Sequence, residues 1–220
     1  MATETTVPLD GDAALLTLAQ WLSPAFPVGG YAFSQGLEWA IAQGDVASAA
    51  DLERWLGDLL EHGAGRSDAI LLGLAMREAL PLAELADLAA ALAPARERRD
   101  ETEAQGAAFA AAVAALGITL PPLAYPLAVG VAARRLGLPV ARVTALWLHA
   151  WAGNLVQIAV RFVPLGQGAG QAVLARLQPL ILRTAAEAAT AGPEALGSAG
   201  FLADLAAMHH ETMEVRLCRT

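Results

Sequence analysis

Charge is scarce in this chain. Only 16% of its 220 residues are Asp, Glu, Lys or Arg, and the mean hydropathy is +0.46. Basic residues are the rarer sign, fourteen against twenty-two acidic ones, for a net charge of −8. No basic run tracks a phosphate backbone, which argues against a nucleic-acid partner. Cysteine occurs once, as Cys218, so an intramolecular disulfide is ruled out and a reducing compartment is suitable. The opening "MATETTVPLDGD" has neither the basic nor the apolar block of a secretion signal, and a cytoplasmic location is expected. Strand signals are nearly missing: no window alternates cleanly between apolar and polar residues.

What remains is helix. The spacing predicts a single all-α domain of roughly eight to ten helices over residues 13–220. A flexible segment, 1–12, precedes it, and a short tail starts near 214. Asp12 is placed to cap a first helix, which Pro24 ends by disfavouring helical geometry at Ser23. A second helix is expected over Ser34–Gln43, with Gly44 as its stop. Ser48 and Asp51 form a capping box, and behind them Leu52, Trp55, Leu56, Leu59 and Leu60 make one apolar face. Gly63 and Gly65 are read as the end of that helix. Further helices are expected over Ser67–Leu80, from Pro81 to about Ala93, and from Arg96 to Gly117. Arg96 with Asp100 and Arg99 with Glu103 are spaced four apart there for ion pairing. Others are expected over Tyr125–Leu136, Val140–Phe162, 170–191 with Pro179 kinking or dividing it, and Phe201–Met213. The stretch Val143–Val160 has no charged residue and reaches the lower length limit of a membrane span. Its Thr144, His149, Asn154 and Gln157 favour a buried core helix instead.

Catalytic patterns are hard to find. "PVGGYAFSQG" and "PLGQGAGQ" fit neither phosphate-binding fingerprint, and no lysine stands near to meet a phosphate. Ser34 lies in "FSQG" and lacks the strand–turn–helix setting of a hydrolase nucleophile. His210 and Glu211 begin HExxH, but Glu214 takes the place of the second histidine. His209, His210, Glu211 and Cys218 remain a candidate metal set, provided they converge. The simpler reading has His210 hydrogen-bonding at a helix C-terminus, His62 doing the same elsewhere, and His149 satisfied in the core. An all-α enzyme with a buried apolar pocket is a further, weakly supported possibility.

The most constrained stretch is "SPAFPVGGYAFSQGLEWA", residues 23–40, whose only charge is Glu38. Pro24, Pro27, Gly29 and Gly30 set a rigid turn that presents Tyr31 and Phe33 ahead of a helix in which Leu37 and Ile41 share a face. Such aromatic surface belongs in a core or at an interface.

With the preceding "LLTLAQWL", that stretch resembles the signature of the UreF-type urease accessory proteins. "ARERRDETEAQGAAF" is similar to the family's charged helix, "WAGNLVQIAVRFVPLGQGAGQ" to its second signature, and "MHHETMEVRL" to its ending. The similarity runs from about residue 15 to 220, four blocks in one order. The resemblance implies an all-α, homodimeric, non-catalytic factor without a cofactor of its own. Such a factor binds the accessory protein UreD (also UreH) and recruits the GTPase UreG for nickel insertion into apo-urease. It also implies partner-binding roles for Tyr31, Phe33, His210, Glu211 and Arg216, with no nucleic acid or membrane as partner. A direct nickel chaperone using the C-terminal His, Glu and Cys residues is the alternative. The tail departs from the family pattern at Met213, Glu214, Val215 and Cys218.

Overall fold

The computed structural model describes residues 11–220. Among the described residues ten α-helices follow one another: α1 Gly11–Trp21, α2 Leu37–Gln43, α3 Ala49–Glu61, α4 Ala64–Arg77, α5 Leu82–Ala91, α6 Arg96–Ala114, α7 Tyr125–Ala133, α8 Val140–Phe162, α9 Gly166–Ala188 and α10 Phe201–His210. Single 3-10 turns lie at Gly30–Ala32, Arg134–Leu136 and Pro193–Ala195, and no strand occurs among the described residues. The all-α expectation holds. The segment 1–12 falls outside the described residues except for Gly11 and Asp12, which are helical.

Local signals explain most boundaries. The Ser48 hydroxyl accepts from the Asp51 amide at the start of α3, and the Asp51 carboxylate accepts from Ala47 in return. Gly44, in the left-handed region at φ 86°, ends α2 as expected. α9 passes straight through Pro179, which lies on an exposed face where the freed Ala175 carbonyl can meet water. The expected break at "VPLGQGAGQ" is confined to residues 163–165, and α9 begins at Gly166 (φ 72°). Gly65 is not a stop but the second residue of α4, and a Cβ there would lie 3.0 Å from the Leu59 carbonyl oxygen and 3.1 Å from the Trp151 ring.

α8 and α9 pair along their length at the centre, with α4 against α8 and α7, α3 against α9, and α6 against α7. By length and composition α8 could cross a membrane, yet half of its most apolar window is buried inside the protein. One continuous cluster unites apolar side chains from α1 to α10. Its aromatic heart is Phe109, edge-on to Trp21 at 5.9 Å and to Tyr125 at 5.8 Å. α10 stands apart from the pair and packs on α2 and α6.

α6 meets the chain that leads into α7 at a backbone-to-backbone contact. A Cβ on Gly106 would lie 1.9 Å from the Leu123 carbonyl oxygen. Gly106→Ala should therefore lower unfolding stability by roughly 2 kcal/mol in urea titration, the usual cost of overpacking. Helix propensity alone would raise it by about 1 kcal/mol. Gly57→Ala, whose Cβ meets only Leu180 at 3.9 Å, should follow propensity and stabilise. A Gly106→Ala variant as stable as the parent would contradict the close approach.

Candidate functional site

Residues 34–36 are not helical, contrary to the sequence expectation for α2. Gln35 and Gly36 both have positive φ, 56° and 79°. Glycine is required at 36 because a Cβ would lie 2.5 Å from the Ala207 amide nitrogen, so α10 can cross here only over bare backbone. The turn frees Ser34 and Gln35 to bind the chain's far end. The Ser34 amide donates to the Thr220 carbonyl at 2.8 Å, as does the Ser34 hydroxyl, and the Gln35 amide donates to the Thr220 hydroxyl at 3.3 Å. Ala32 accepts from the Arg219 amide at 2.6 Å. The tail is thus strapped along the loop that carries Tyr31.

Glu38, one turn further on, is the anchor. It is buried, and its carboxylate accepts the amides of Leu217 and Cys218 at 2.8 Å each. Its Oε2 also faces His210 Nε2 at 3.3 Å, while the other ring nitrogen, Nδ1, lies 2.8 Å from Glu97 Oε2. Glu97 additionally receives the Arg216 guanidinium, and its own amide, free in the first turn of α6, donates to Glu211 at 3.2 Å.

A second set of groups continues the network inward. Thr220 donates to Glu101 at 3.0 Å, as does the Gln35 side-chain amide at 2.9 Å. Glu101 faces Arg98 at 3.0 Å, and Arg98 reaches Asp68 on α4 at 2.9 Å. Four carboxylates thus share two guanidinium groups and one imidazole, which satisfies the rule that buried charge must be paired.

Desolvation would raise the Glu38 pKa, but the Leu217 and Cys218 amides together with His210 outweigh it and hold the carboxyl below its ordinary value. Asp68 shows the opposite balance. Burial pushes its carboxyl up to about 6 despite the neighbouring Arg98. Burial, with Glu38 beside it, also raises the Cys218 thiol to about 11, so it stays protonated and a poor nucleophile.

The residues expected at a partner surface fall into two groups. Tyr31 is 44% exposed, Arg216 is half-exposed on Glu97, and Glu211 is half-buried. Phe33 is 6% exposed and His210 wholly buried, and both serve the interior of their own chain. The candidate metal set does not converge: His209 stacks on Trp39 at 4.8 Å, His210 lies between two glutamates, Glu211 turns to the start of α6, and Cys218 is buried. Among the described residues no group of three or more His, Cys, Asp or Glu is arranged to hold a metal ion. His149 is not a core residue but half-buried beside a cavity.

Glu38, Glu97, Arg98 and Glu101 had no place among the expected site residues. Of the ion pairs that the spacing along α6 suggests, Arg99 with Glu103 forms at 2.8 Å on the exposed side. Other charges of α6 face inward. The one available signal was Glu38 itself, a single charge in an otherwise apolar stretch.

A group with a depressed folded pKa stabilises above its unfolded value, and that contribution is lost as pH falls through the folded one. Glu38 should therefore hold the tail fully above about pH 4.5 and release it on further acidification. In ¹⁵N-NMR titrations the Leu217 and Cys218 amide signals should move together in that window. Glu38→Gln should abolish the step; its survival in that variant would assign it to another group.

The family model for UreF matches residues 46–178. A urease accessory protein UreF of Cereibacter sphaeroides is 64% identical over 209 residues, covering 94% of this chain and 99% of its own. The UreF of Paracoccus denitrificans is 55% identical over 210 residues, covering 95% and 97%. That of Jannaschia sp. is 50% identical over 207, covering 94% of each. The chain therefore belongs to the UreF family of urease accessory proteins, which are non-catalytic maturation factors.

Proposed function

We propose that this chain is a cytoplasmic, homodimeric scaffold that binds UreD (UreH) and recruits the UreG GTPase, so that nickel is delivered to apo-urease. Nickel is cargo in this reading, not a resident cofactor. One observation carries the reading: the apolar face of α10 and the tail. Phe201, Leu202, Leu205 and Met208 recur on one side of α10 and are all exposed, as are Val215 and Leu217 in the tail. Exposed large apolar side chains in such density mark a contact surface. The buried polar residues beneath hold that surface in shape, and the Arg219–Ala32 hydrogen bond joins it to the Tyr31 loop.

Roles divide accordingly. α10 and the tail bury their apolar side chains on UreD, where ordered backbone lowers the entropic cost of binding. Tyr31 and Arg216, both accessible, meet the GTPase. Phe33 and His210 act from below, one as a packing wedge under the loop and the other as the clasp between Glu38 and Glu97.

Leu205→Asp should weaken retention of the cognate UreD on the tagged chain by at least roughly tenfold, as expected for a charge at an apolar contact, while circular dichroism stays that of the parent. Tyr31→Ala should keep UreD but lose UreG from the ternary complex. Full retention of both partners by both folded variants would overturn the proposal. Light scattering of the isolated chain tests the dimer, and a strict monomer at high concentration would refute that part.

A further inference from the structure

α10 keeps its large apolar side chains outside. The residues it buries are Ala203, Ala206, Ala207 and His210, while Phe201, Leu202, Leu205 and Met208 are exposed. Three alanines withdraw little apolar surface from water. At ten residues α10 is also shorter than the roughly 12–15 that make an isolated helix even marginal. Packing therefore does little to fix α10 in place, and its two ends carry that task.

The C-terminal end is fastened through His210 to Glu38 and Glu97. The N-terminal end has a fastening of its own. Residues 189–200, which lead into α10, have no regular structure beyond the Pro193–Ala195 turn, so their backbone groups need partners elsewhere. α4 supplies them. Arg77 donates to the Ala191 carbonyl, Arg66 to the Ala195 carbonyl at 2.7 Å, and Ser67 to the Gly197 carbonyl at 2.8 Å. At the corner between α3 and α4, the His62 carbonyl accepts from the Ala199 amide at 2.7 Å. Gly200 then passes so close to Gly63 that a Cβ on it would lie 3.1 Å from the Gly63 Cα. The Ser198 hydroxyl completes the corner, accepting from the Gly200 amide at 3.2 Å and donating to the Asp204 carboxylate at 2.8 Å. Phe201 and Leu202 follow at once, so α4 sets where they stand on the surface.

We propose that Arg66 and Ser67 are positioning residues for the α10 partner. They fix the Phe201–Leu202 end of the apolar stripe, separately from the Glu38 fastening at the other end. The inference rests on the reading of that stripe as the UreD contact. A stripe held at both ends meets its partner already ordered, whereas one with a loose end must be ordered on binding, at a cost in affinity.

Arg66→Met combined with Ser67→Ala removes two of the donors and keeps most of the side-chain bulk. Each lost hydrogen bond is worth a few-fold, so the Ala199 and Asp204 amides should exchange with solvent about tenfold faster by ¹⁵N NMR. The Leu217 and Cys218 amides, on the other fastening, should exchange as in the parent. Retention of the cognate UreD should fall at least about fivefold while circular dichroism is unchanged. Arg66→Lys, which keeps a donor, should hold nearer the parent in both readings. Unchanged exchange at Ala199 and Asp204, an equal rise at all four amides, or an Arg66→Lys variant as defective as the double one would overturn the proposal. So would full UreD retention by the double variant when Leu205→Asp loses it. Retention by Leu205→Asp as well would overturn the UreD reading itself, and this proposal with it.

Discussion

Glu38 takes two backbone amides from the tail and one ring nitrogen from α10 while it lies buried. A carboxylate in that position is expensive unless its oxygens are occupied, and residues 210–218 are what occupy them. The dependence is mutual. Without Glu38 the Leu217 and Cys218 amides have no acceptor, and His210 keeps Glu97 alone. Segments separated by about 180 positions in sequence are thereby fastened at one point.

The rest of the molecule can be read outward from that fastening. The positive φ at Gln35 and Gly36 turns Ser34 and Gln35 toward Thr220, and the missing side chain of Gly36 admits α10. Glu97, Glu101 and Arg98 lie on the inward side of α6, so α6 supplies the counter-groups while α4 adds Asp68. Polar atoms of the tail face inward, and the apolar side chains of Val215 and Leu217 are left facing outward. A surface for partners is thus made by the same contacts that satisfy the interior.

The helices were legible because their signals are local. The Ser48 box, the apolar face of α3 and the Gly44 stop act within four residues of themselves. The Gly65 stop failed at a glycine packed against both the Leu59 carbonyl and the Trp151 ring, the latter more than eighty positions away. The start of α2 was misplaced because Ser34 is claimed by Thr220. Tyr31 lies exposed on the 3-10 turn at Gly30–Ala32, whereas Phe33, two positions on and expected beside it at the surface, is buried in the core. Charge was the least legible feature. Spacing i, i+4 along α6 marks Arg99 with Glu103 as a pair, but nothing in the spacing says that Arg98 and Glu101 are buried beneath them.

The central claim is that Glu38 and the tail stabilise one another. A double-mutant cycle in urea tests it most directly, combining Glu38→Gln with truncation after Met213. Groups in one buried network should show a coupling of about 0.5–3 kcal/mol. Glu38→Gln is then costly in the full chain and costs little once the tail is gone. Strict additivity, with the same loss in both backgrounds, would show that the tail lies on Glu38 without depending on it.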